Sequence, residues 1–273
     1  MAEITKLTAT QQRQLKEDGY LLLPGVLSAA QVTDLVACLE ALWQEEGDRA
    51  GQEVIIEPGA RRLANLINKG EVFRPVFSHP LILEAAHIVL GPHIRLGSLN
   101  ARSVPPHSDP KMPLHCDTDF AGKPDKKGFY SFSCIWMLDD FTCENGATHL
   151  VLGSHRSRAL PDEVLTDVYA PHPDEVIATG KAGDVLAFNG HCWHTGGANV
   201  TDGQRRAILG HYNRADYPQQ TDQQKHLSPQ VQAKMTPLER EILGLDDSQL
   251  GRAFMRVTIL MRRLKWQLTK NKR

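Results

Sequence analysis

The stretch "KAGDVLAFNGHCWHTGGANVTDGQRRAILGHYN", residues 181–213, alternates apolar segments with turns rich in glycine and asparagine. "VLAFN" and "RRAILGHYN" have the composition of strands, and the residues between them are typical of turns. Two histidines, His191 and His194, follow the first strand within one turn. Paired arginines lead into the second strand. The pattern predicts β structure with candidate metal-binding imidazoles between two strands.

Similar segments extend this β pattern towards the N-terminus. "IRLGSLNARSV" (94–104), "FYSFSCIWML" (129–138) and "THLVLGS" (148–154) are strand-like and are separated by Gly, Asn and Asp. In 129–138, alternation places every second residue from Tyr130 to Leu138 on one face. Short strands with helices around them favour a mainly β fold, either a two-sheet sandwich or a jelly roll.

Helical signals lie on either side of this β region. Residues 10–18 predict a short helix that stops at Gly19, and Ser28 has the capping-box spacing to Gln31 at the start of a second helix. Further helices are expected over 80–90 and 251–268, from the spacing of their apolar residues. We expect one domain over residues 1–273, with N-terminal helices over about 8–92, a jelly-roll core over about 93–215 and a C-terminal helical extension over about 216–273.

Composition excludes several classes of protein. The 273 residues include 31 basic and 32 acidic side chains, so the formal charge of −1 gives no electrostatic footprint for nucleic acid or an anionic membrane. No apolar stretch is long enough to cross a bilayer. The five cysteines form no C-x-x-C pair, which favours reduced thiols. We therefore expect a cytoplasmic protein with no nucleic-acid partner and no membrane contact.

A candidate metal site begins in "PLHCDTDF", residues 113–120. On a strand, His115 and Asp117 would point the same way and could offer a nitrogen and a carboxylate to one ion. Asp119 would share that face if the strand continued. A histidine from the 181–213 stretch would complete two imidazoles and one carboxylate, the set that leaves coordination positions open in non-haem Fe(II) oxygenases. A downstream arginine could then clamp a dicarboxylate cosubstrate.

The chain also resembles a known family over most of its length, from residue 17 to about residue 218. The shared motifs are "EDGYLLLPGVLS" (17–28), "HCD" (115–117), "ENGATHLVLGSH" (144–155), "GDVLAF" (183–188) and "HTGGAN" (194–199) followed by Arg205. Together they resemble the phytanoyl-CoA dioxygenase-like branch of the Fe(II)/2-oxoglutarate-dependent oxygenases. This resemblance implies a double-stranded β-helix, which is a jelly-roll, cupin-like barrel with helices packed around it.

The resemblance also implies roles for individual residues. His115, Asp117 and His194 would be the iron ligands, and Arg205 would bind the distal carboxylate of 2-oxoglutarate. Positions that often touch the cosubstrate in this family correspond to Thr195, Trp136 and Asn100. His191 could replace His194 as a ligand, but the Thr-Gly-Gly-Ala-Asn run favours His194. Arg206 competes with Arg205, since alternation on a strand sends only one of them inward.

The implied activity is oxidation with Fe(II), 2-oxoglutarate and O2. The expected outcome is hydroxylation of an unactivated C–H bond in a small-molecule substrate. A carboxylate at Asp117 argues against halogenation, because halogenases of this fold have a small residue there. Desaturation, cyclisation or epimerisation with the same cofactors is the alternative, and a non-catalytic or other-metal jelly-roll binding protein is a further one. We expect a monomer or a homodimer.

Overall fold

Two antiparallel sheets form the centre of the protein. The computed structural model describes residues 6–53, 59–109, 112–118 and 122–248. Within these residues the strands are β1 Tyr20–Leu23, β2 Arg61–Leu63, β3 Ile94–Val104, β4 Ser131–Met137, β5 Thr148–Val151, β6 Glu175–Ala178, β7 Val185–Asn189, β8 His194–Gly196 and β9 Arg205–Arg214. The larger sheet has the order β1-β7-β4-β9-β3-β2, and the smaller one has the order β6-β5-β8. Neighbours in each sheet are mostly distant in sequence, so the fold depends on long-range pairing.

Helices surround the two sheets, and some of them pack against the larger sheet. They are α1 Ala9–Glu17, α2 Ala29–Glu46, α3 Arg74–Phe77, α4 Pro80–Leu90, α5 Pro161–Val164, α6 Gln223–His226, α7 Pro229–Ala233 and α8 Pro237–Leu243, with 3-10 turns at Gly47–Arg49, Leu66–Asn68, Glu71–Phe73 and Ser154–Ser157. The capping box of α2 is present, because the Ser28 hydroxyl accepts from the Gln31 backbone N–H while the Gln31 side chain accepts from the Ser28 N–H. The three N-terminal helices expected from the sequence are thus confirmed. The helix expected over 251–268 lies outside the described residues.

Two apolar layers separate these elements. The first lies between the helices and the larger sheet, and includes Leu35, Leu39 and Trp43 from α2, each of which contributes roughly 1.5–3 kcal/mol through burial. The second lies between the two sheets and includes Met137 and Phe188. The order of layers is therefore helices, larger sheet and smaller sheet.

Alternation along β4 divides its side chains between these two layers. Phe132, Cys134 and Trp136 belong to the helix-facing layer. Ser133 and Ile135 point the other way, into the space between the sheets. The sequence correctly predicted which residues share a face, but every residue of β4 is buried, so hydrophobicity does not tell the two faces apart.

The turn before β7 depends on a glycine. Gly183 has φ +98°, and a Cβ at this position would lie 2.5 Å from the backbone oxygen of Leu27. We expect Gly183→Ala to lower the free energy of unfolding by about 2 kcal/mol or more, since it adds backbone strain to a steric clash. Gly203→Ala is the matched control, because no atom lies within 4 Å of its Cβ. Urea unfolding measures both, and equal midpoints for the two variants would contradict this interpretation.

Two further expectations concern features spread along the chain. All five cysteines carry free thiols, as their spacing predicted. Among the residues that the structure describes, no helix combines the length and the apolar character required to span a membrane.

Candidate metal centre

Main-chain pairing brings His115 and His194 together. His194 begins β8, and its backbone N–H and C=O each bond to the backbone of His115 at 3.0 Å. Strand β8 also pairs with β5, where Leu150 is the partner of His194. The two imidazole centroids lie 4.3 Å apart. Two histidines from distant parts of the sequence therefore present their rings at one place.

Backbone carbonyls orient both rings. The Nδ1 atom of His115 lies 3.0 Å from the carbonyl oxygen of Pro113, and Nδ1 of His194 lies 3.0 Å from that of Cys192. A carbonyl can only accept, so Nδ1 is the protonated nitrogen of each ring. Each Nε2 consequently has its lone pair available for a metal, the usual arrangement for a ligating histidine.

Asp117 supplies the third donor. Its Oδ1 atom lies 3.5 Å from Nε2 of His194 and 3.8 Å from Nε2 of His115. The three donor atoms all fall within 4.8 Å of one another, a cluster that could hold one metal ion. They line a cavity of about 210 Å³ between the sheets. Two imidazoles, one carboxylate and an open side match the donor set of non-haem iron.

The charges within this group suit a divalent cation. Burial, helped by the neighbouring His194, lowers the pKa of His115 to about 4, so this ring is neutral near neutral pH. Burial alone would raise the pKa of Asp117, but the charges of His194, His115 and His211 and the hydrogen bond with His194 together outweigh it and lower that pKa. Conversely, Asp117 raises the pKa of His194 against the effect of burial. A metal ion would take the place of the proton held between these two side chains.

Two further side chains, Ser133 and His211, hold Asp117 in place. The Ser133 hydroxyl donates to Oδ2 of Asp117 at 2.7 Å, so Oδ1 is the oxygen that faces the histidines. Nδ1 of His211 lies 3.2 Å from the same hydroxyl oxygen and donates to it, because the hydroxyl hydrogen is already used. Sequence reasoning missed both residues. The available signal was alternation, since His211 lies six positions after Arg205 and therefore shares its face of the strand.

We expect Ser133→Ala to weaken Mn(II) or Co(II) binding by about 10- to 100-fold, because Asp117 loses the donor that fixes its carboxylate. Isothermal titration of the metal-free protein measures this affinity. Ser98→Ala is a suitable control, since Ser98 lines the same cavity but donates to Gln220 at 2.5 Å. An affinity equal to that of the wild type would show that Asp117 needs no such support.

The two adjacent arginines at the start of β9 point in opposite directions. Arg205 is 4% exposed, lines the cavity, and places its guanidinium carbon 4.3 Å from the ring centroid of Phe141. Arg206 faces the other way and pairs with Asp139 through two hydrogen bonds of 2.9 and 2.6 Å. It also forms an ion pair with Glu40 at 3.4 Å. Of this pair, Arg205 is therefore the arginine that faces the cavity.

Thr195 and Asn100 line the same cavity. The Thr195 hydroxyl donates to the backbone oxygen of Met112 at 2.7 Å. The side-chain oxygen of Asn100 accepts from the backbone N–H of Asn65 at 3.3 Å. Both residues are thus in the expected place, and their role in binding a cosubstrate stays a prediction.

Trp136 lies outside this cavity, which corrects the expectation that it touches the cosubstrate. Its side chain is fully buried in the helix-facing layer, where its ring lies 5.6 Å from that of His79. Ser133 and Ile135 occupy the cavity side of β4 instead. The physical reason is the period of two along the strand, which puts Trp136 on the opposite face from Ser133.

The remaining candidates do not join the three donors. His191 is buried rather than exposed, with Nδ1 3.2 Å from the side-chain oxygen of Asn189 and its ring edge-on to Tyr130. It is not one of the three clustered donors. Asp119 lies outside the described residues.

Comparison with known proteins identifies the family to which the chain is related. A family model for phytanoyl-CoA dioxygenase matches residues 15–207. The dioxygenase af480 of Aspergillus fumigatus is 29% identical over 240 residues, which is 86% of this chain and 76% of that protein. The Fe(II)/2-oxoglutarate-dependent dioxygenase nvfF of Aspergillus novofumigatus is 31% identical over 248 residues, which is 84% of this chain and 79% of that protein.

A solved structure with a similar fold is that of SnoK, a non-haem α-ketoglutarate-dependent carbocyclase from nogalamycin biosynthesis. It has a TM-score of 0.63 and 25% identity, covering 85% of this chain and 92% of SnoK. The likeness confirms the jelly-roll fold expected from the sequence. Since the family model spans more than half of the chain and agrees with the His-Asp-His site, the chain belongs to the phytanoyl-CoA dioxygenase family.

Proposed function

We propose that the protein is an Fe(II)/2-oxoglutarate-dependent dioxygenase that hydroxylates an unactivated C–H bond of a small-molecule metabolite. One observation carries this proposal. His115, Asp117, His194 and Arg205 line the same cavity, although they come from three separate segments of the chain. A binding module needs neither an open redox-metal site nor an adjacent buried guanidinium, so this combination favours turnover.

Each of these residues has a distinct task. His115, Asp117 and His194 would hold ferrous iron, which together with 2-oxoglutarate supplies the oxidising power for O2 activation. The guanidinium of Arg205 would bind the distal carboxylate of 2-oxoglutarate through its planar fork. Phe141 supports that guanidinium from one side, which limits its motion and reduces the entropy lost on binding. Ser133 keeps one carboxylate oxygen of Asp117 turned towards the metal position.

Ring closure is the second candidate outcome. It is favoured by the likeness to SnoK, which is described as a carbocyclase. Both outcomes use the same metal site, and the position of the substrate carbon decides between them. The cytoplasmic location and the monomeric or homodimeric state stay predictions.

Succinate formation tests the proposed function. Protein loaded with Fe(II) and 2-oxoglutarate and then exposed to O2 should release succinate slowly, and a screen of metabolites should reveal compounds that accelerate the release. Omitting iron or replacing it by Zn(II) should stop the reaction, because Zn(II) has no redox chemistry. His194→Ala provides the background rate. If the wild-type protein never exceeds that background with any compound, the proposed function is wrong.

A further inference from the structure

A second cavity adjoins the one that contains the metal site. It has a volume of about 340 Å³, and its lining comes from the segment around residues 113–118 and from helix α5 with its neighbours. Among the residues that the structure describes, His115 is the one that lines both cavities. This metal-site histidine therefore lies between the position of the ion and the second cavity, which we call the α5 cavity.

The lining of the α5 cavity is mainly apolar. Its larger apolar residues are Pro113, Leu114, Leu160, Pro161 and Val168. Of the described residues that line it, none is a lysine or an arginine, and the single carboxylate is that of Asp162, an exposed residue. The metal cavity, by contrast, is lined by three arginines. The α5 cavity is therefore suited to an uncharged, apolar group and offers no cation to an anionic one.

Backbone hydrogen bonds tie the lining of the α5 cavity to the metal site. The N–H of Leu114 donates to the backbone oxygen of Val168 at 2.8 Å. On the other side, Nε1 of Trp193 donates to the backbone oxygen of Ala159 at 2.9 Å, just before α5. Leu114 and Trp193 directly precede the ligands His115 and His194 in the sequence. The same segments thus position the cavity and two of the three metal-binding side chains.

The volumes of the two cavities indicate where a substrate would lie. The metal cavity has about 210 Å³, whereas pockets for drug-sized ligands typically have about 300–1,000 Å³. Under the proposed function, iron and 2-oxoglutarate already share the metal cavity. A substrate of more than a few atoms must therefore extend beyond it, and the α5 cavity borders it at one of the metal-binding side chains.

We propose that the α5 cavity binds an uncharged, apolar part of the substrate, with the carbon to be oxidised reaching the metal site past His115. The inference rests on the proposed function for the reaction and adds the class of substrate, which is a molecule with an apolar ring or chain. Burial of that part removes apolar surface from water and so contributes to binding. It also holds the neighbouring carbon in one orientation, which determines the position of oxidation.

Helix α5 offers a matched pair of positions for a test. Leu160 is the N-cap residue of α5 and lines the cavity, whereas Val164 at the other end of α5 is 58% exposed and does not line it. Asparagine is favourable at an N-cap, so Leu160→Asn should preserve α5 while placing a polar amide in the lining. Val164→Asn makes a similar change on the outside of the same helix.

Binding of 2-naphthol, an uncharged aromatic probe, tests the α5 cavity. The protein is loaded with Mn(II) and N-oxalylglycine, an unreactive analogue of 2-oxoglutarate, so that the metal cavity is already occupied. Titration measures the affinity, and NMR relaxation of the probe protons reports their distance from the metal, because Mn(II) is paramagnetic and the Zn(II)-loaded reference is not. We expect saturable binding with either metal and faster relaxation with Mn(II) alone.

The variants and a charged probe complete the test. Leu160→Asn should weaken 2-naphthol binding by about fivefold or more, since it removes apolar contact and buries a polar group, whereas Val164→Asn should leave the affinity unchanged. The anion 2-naphthoate has the same rings and should bind more weakly than 2-naphthol. Circular dichroism shows whether both variants remain folded.

Several results would overturn the assignment of the α5 cavity. 2-Naphthol could fail to bind, or its protons could relax equally with Mn(II) and Zn(II), which would place it away from the metal. Equal affinities in the two variants would exclude Leu160 from the site, and tighter binding of 2-naphthoate would contradict the class of substrate. The titration involves no turnover. A protein that releases no succinate can therefore still bind 2-naphthol beside the metal, so this inference and the proposed function can fail separately.

Discussion

Asp117→Ala is expected to abolish succinate formation and to weaken metal binding by more than about 100-fold. This loss should exceed that of a variant that removes only an outer partner, such as Ser133→Ala, because Asp117 is the one carboxylate among the three clustered donor residues. The metal-free variant should still fold, since the apolar layers on both sides of the larger sheet are unchanged. Isothermal titration with Mn(II) and circular dichroism measure the two properties.

Asp140→Ala is the control for Asp117→Ala. Asp140 is a half-exposed aspartate that pairs with Lys181 at 2.8 Å and does not line the cavity. The Asp140→Ala substitution removes one negative charge, as Asp117→Ala does, but leaves the three metal-binding residues in place. The metal affinity of this variant should therefore equal that of the wild type. Metal affinity retained in Asp117→Ala, or lost equally in Asp140→Ala, would contradict the proposed site.

Arg205→Gln is expected to lower the affinity for 2-oxoglutarate by about 10- to 100-fold while metal affinity stays unchanged. The glutamine keeps hydrogen-bonding groups but loses the charge and the paired donors that suit a carboxylate. The expected kinetic effect is a higher KM for 2-oxoglutarate. Titration of the Mn(II)-loaded protein with 2-oxoglutarate measures the change directly.

Arg206→Gln serves as the neighbouring control, because Arg206 points away from the cavity towards Asp139 and Glu40. Its loss should reduce stability through the broken ion pairs and leave 2-oxoglutarate affinity as it is. An Arg205→Gln variant with normal affinity would remove Arg205 from the cosubstrate site. A larger loss in Arg206→Gln than in Arg205→Gln would reverse the assignment of the two arginines.

Much of this site could be predicted because its signals are local. The "HCD" and "HTGGAN" motifs identify His115, Asp117 and His194, and the structure brings these three together. The backbone pairing that brings these residues together was harder to predict from the sequence. Asp117 is not part of a strand, and β8 is a three-residue strand ending in glycine that sequence reasoning took for a turn. Its pairing with residue 115 is a long-range contact, which local propensity does not encode.

Other parts of the site could not be predicted, because the sequence does not show which face of a strand meets the helices and which faces the cavity between the sheets. Strand β4 is apolar on both faces, so alternation groups its residues but does not assign Trp136 to the helices or Ser133 to the cavity. Arg62, which also lines the cavity, was missed for a related reason, since β2 has only three residues and lies in a segment expected to be helical. A single charged residue does not predict a binding site from the sequence. The register of β2 with β3, which places Arg62 opposite Arg102, is needed to show that the two charges lie together.

The most direct test of the central claim is anaerobic titration of the protein with Fe(II) and 2-oxoglutarate, followed by visible absorption. We expect a charge-transfer band that requires both components and saturates at one iron per chain. The band should be absent in Asp117→Ala and should need more 2-oxoglutarate in Arg205→Gln. A folded wild-type protein that gives no band with both components present would contradict the proposal that His115, Asp117 and His194 hold iron beside a 2-oxoglutarate site.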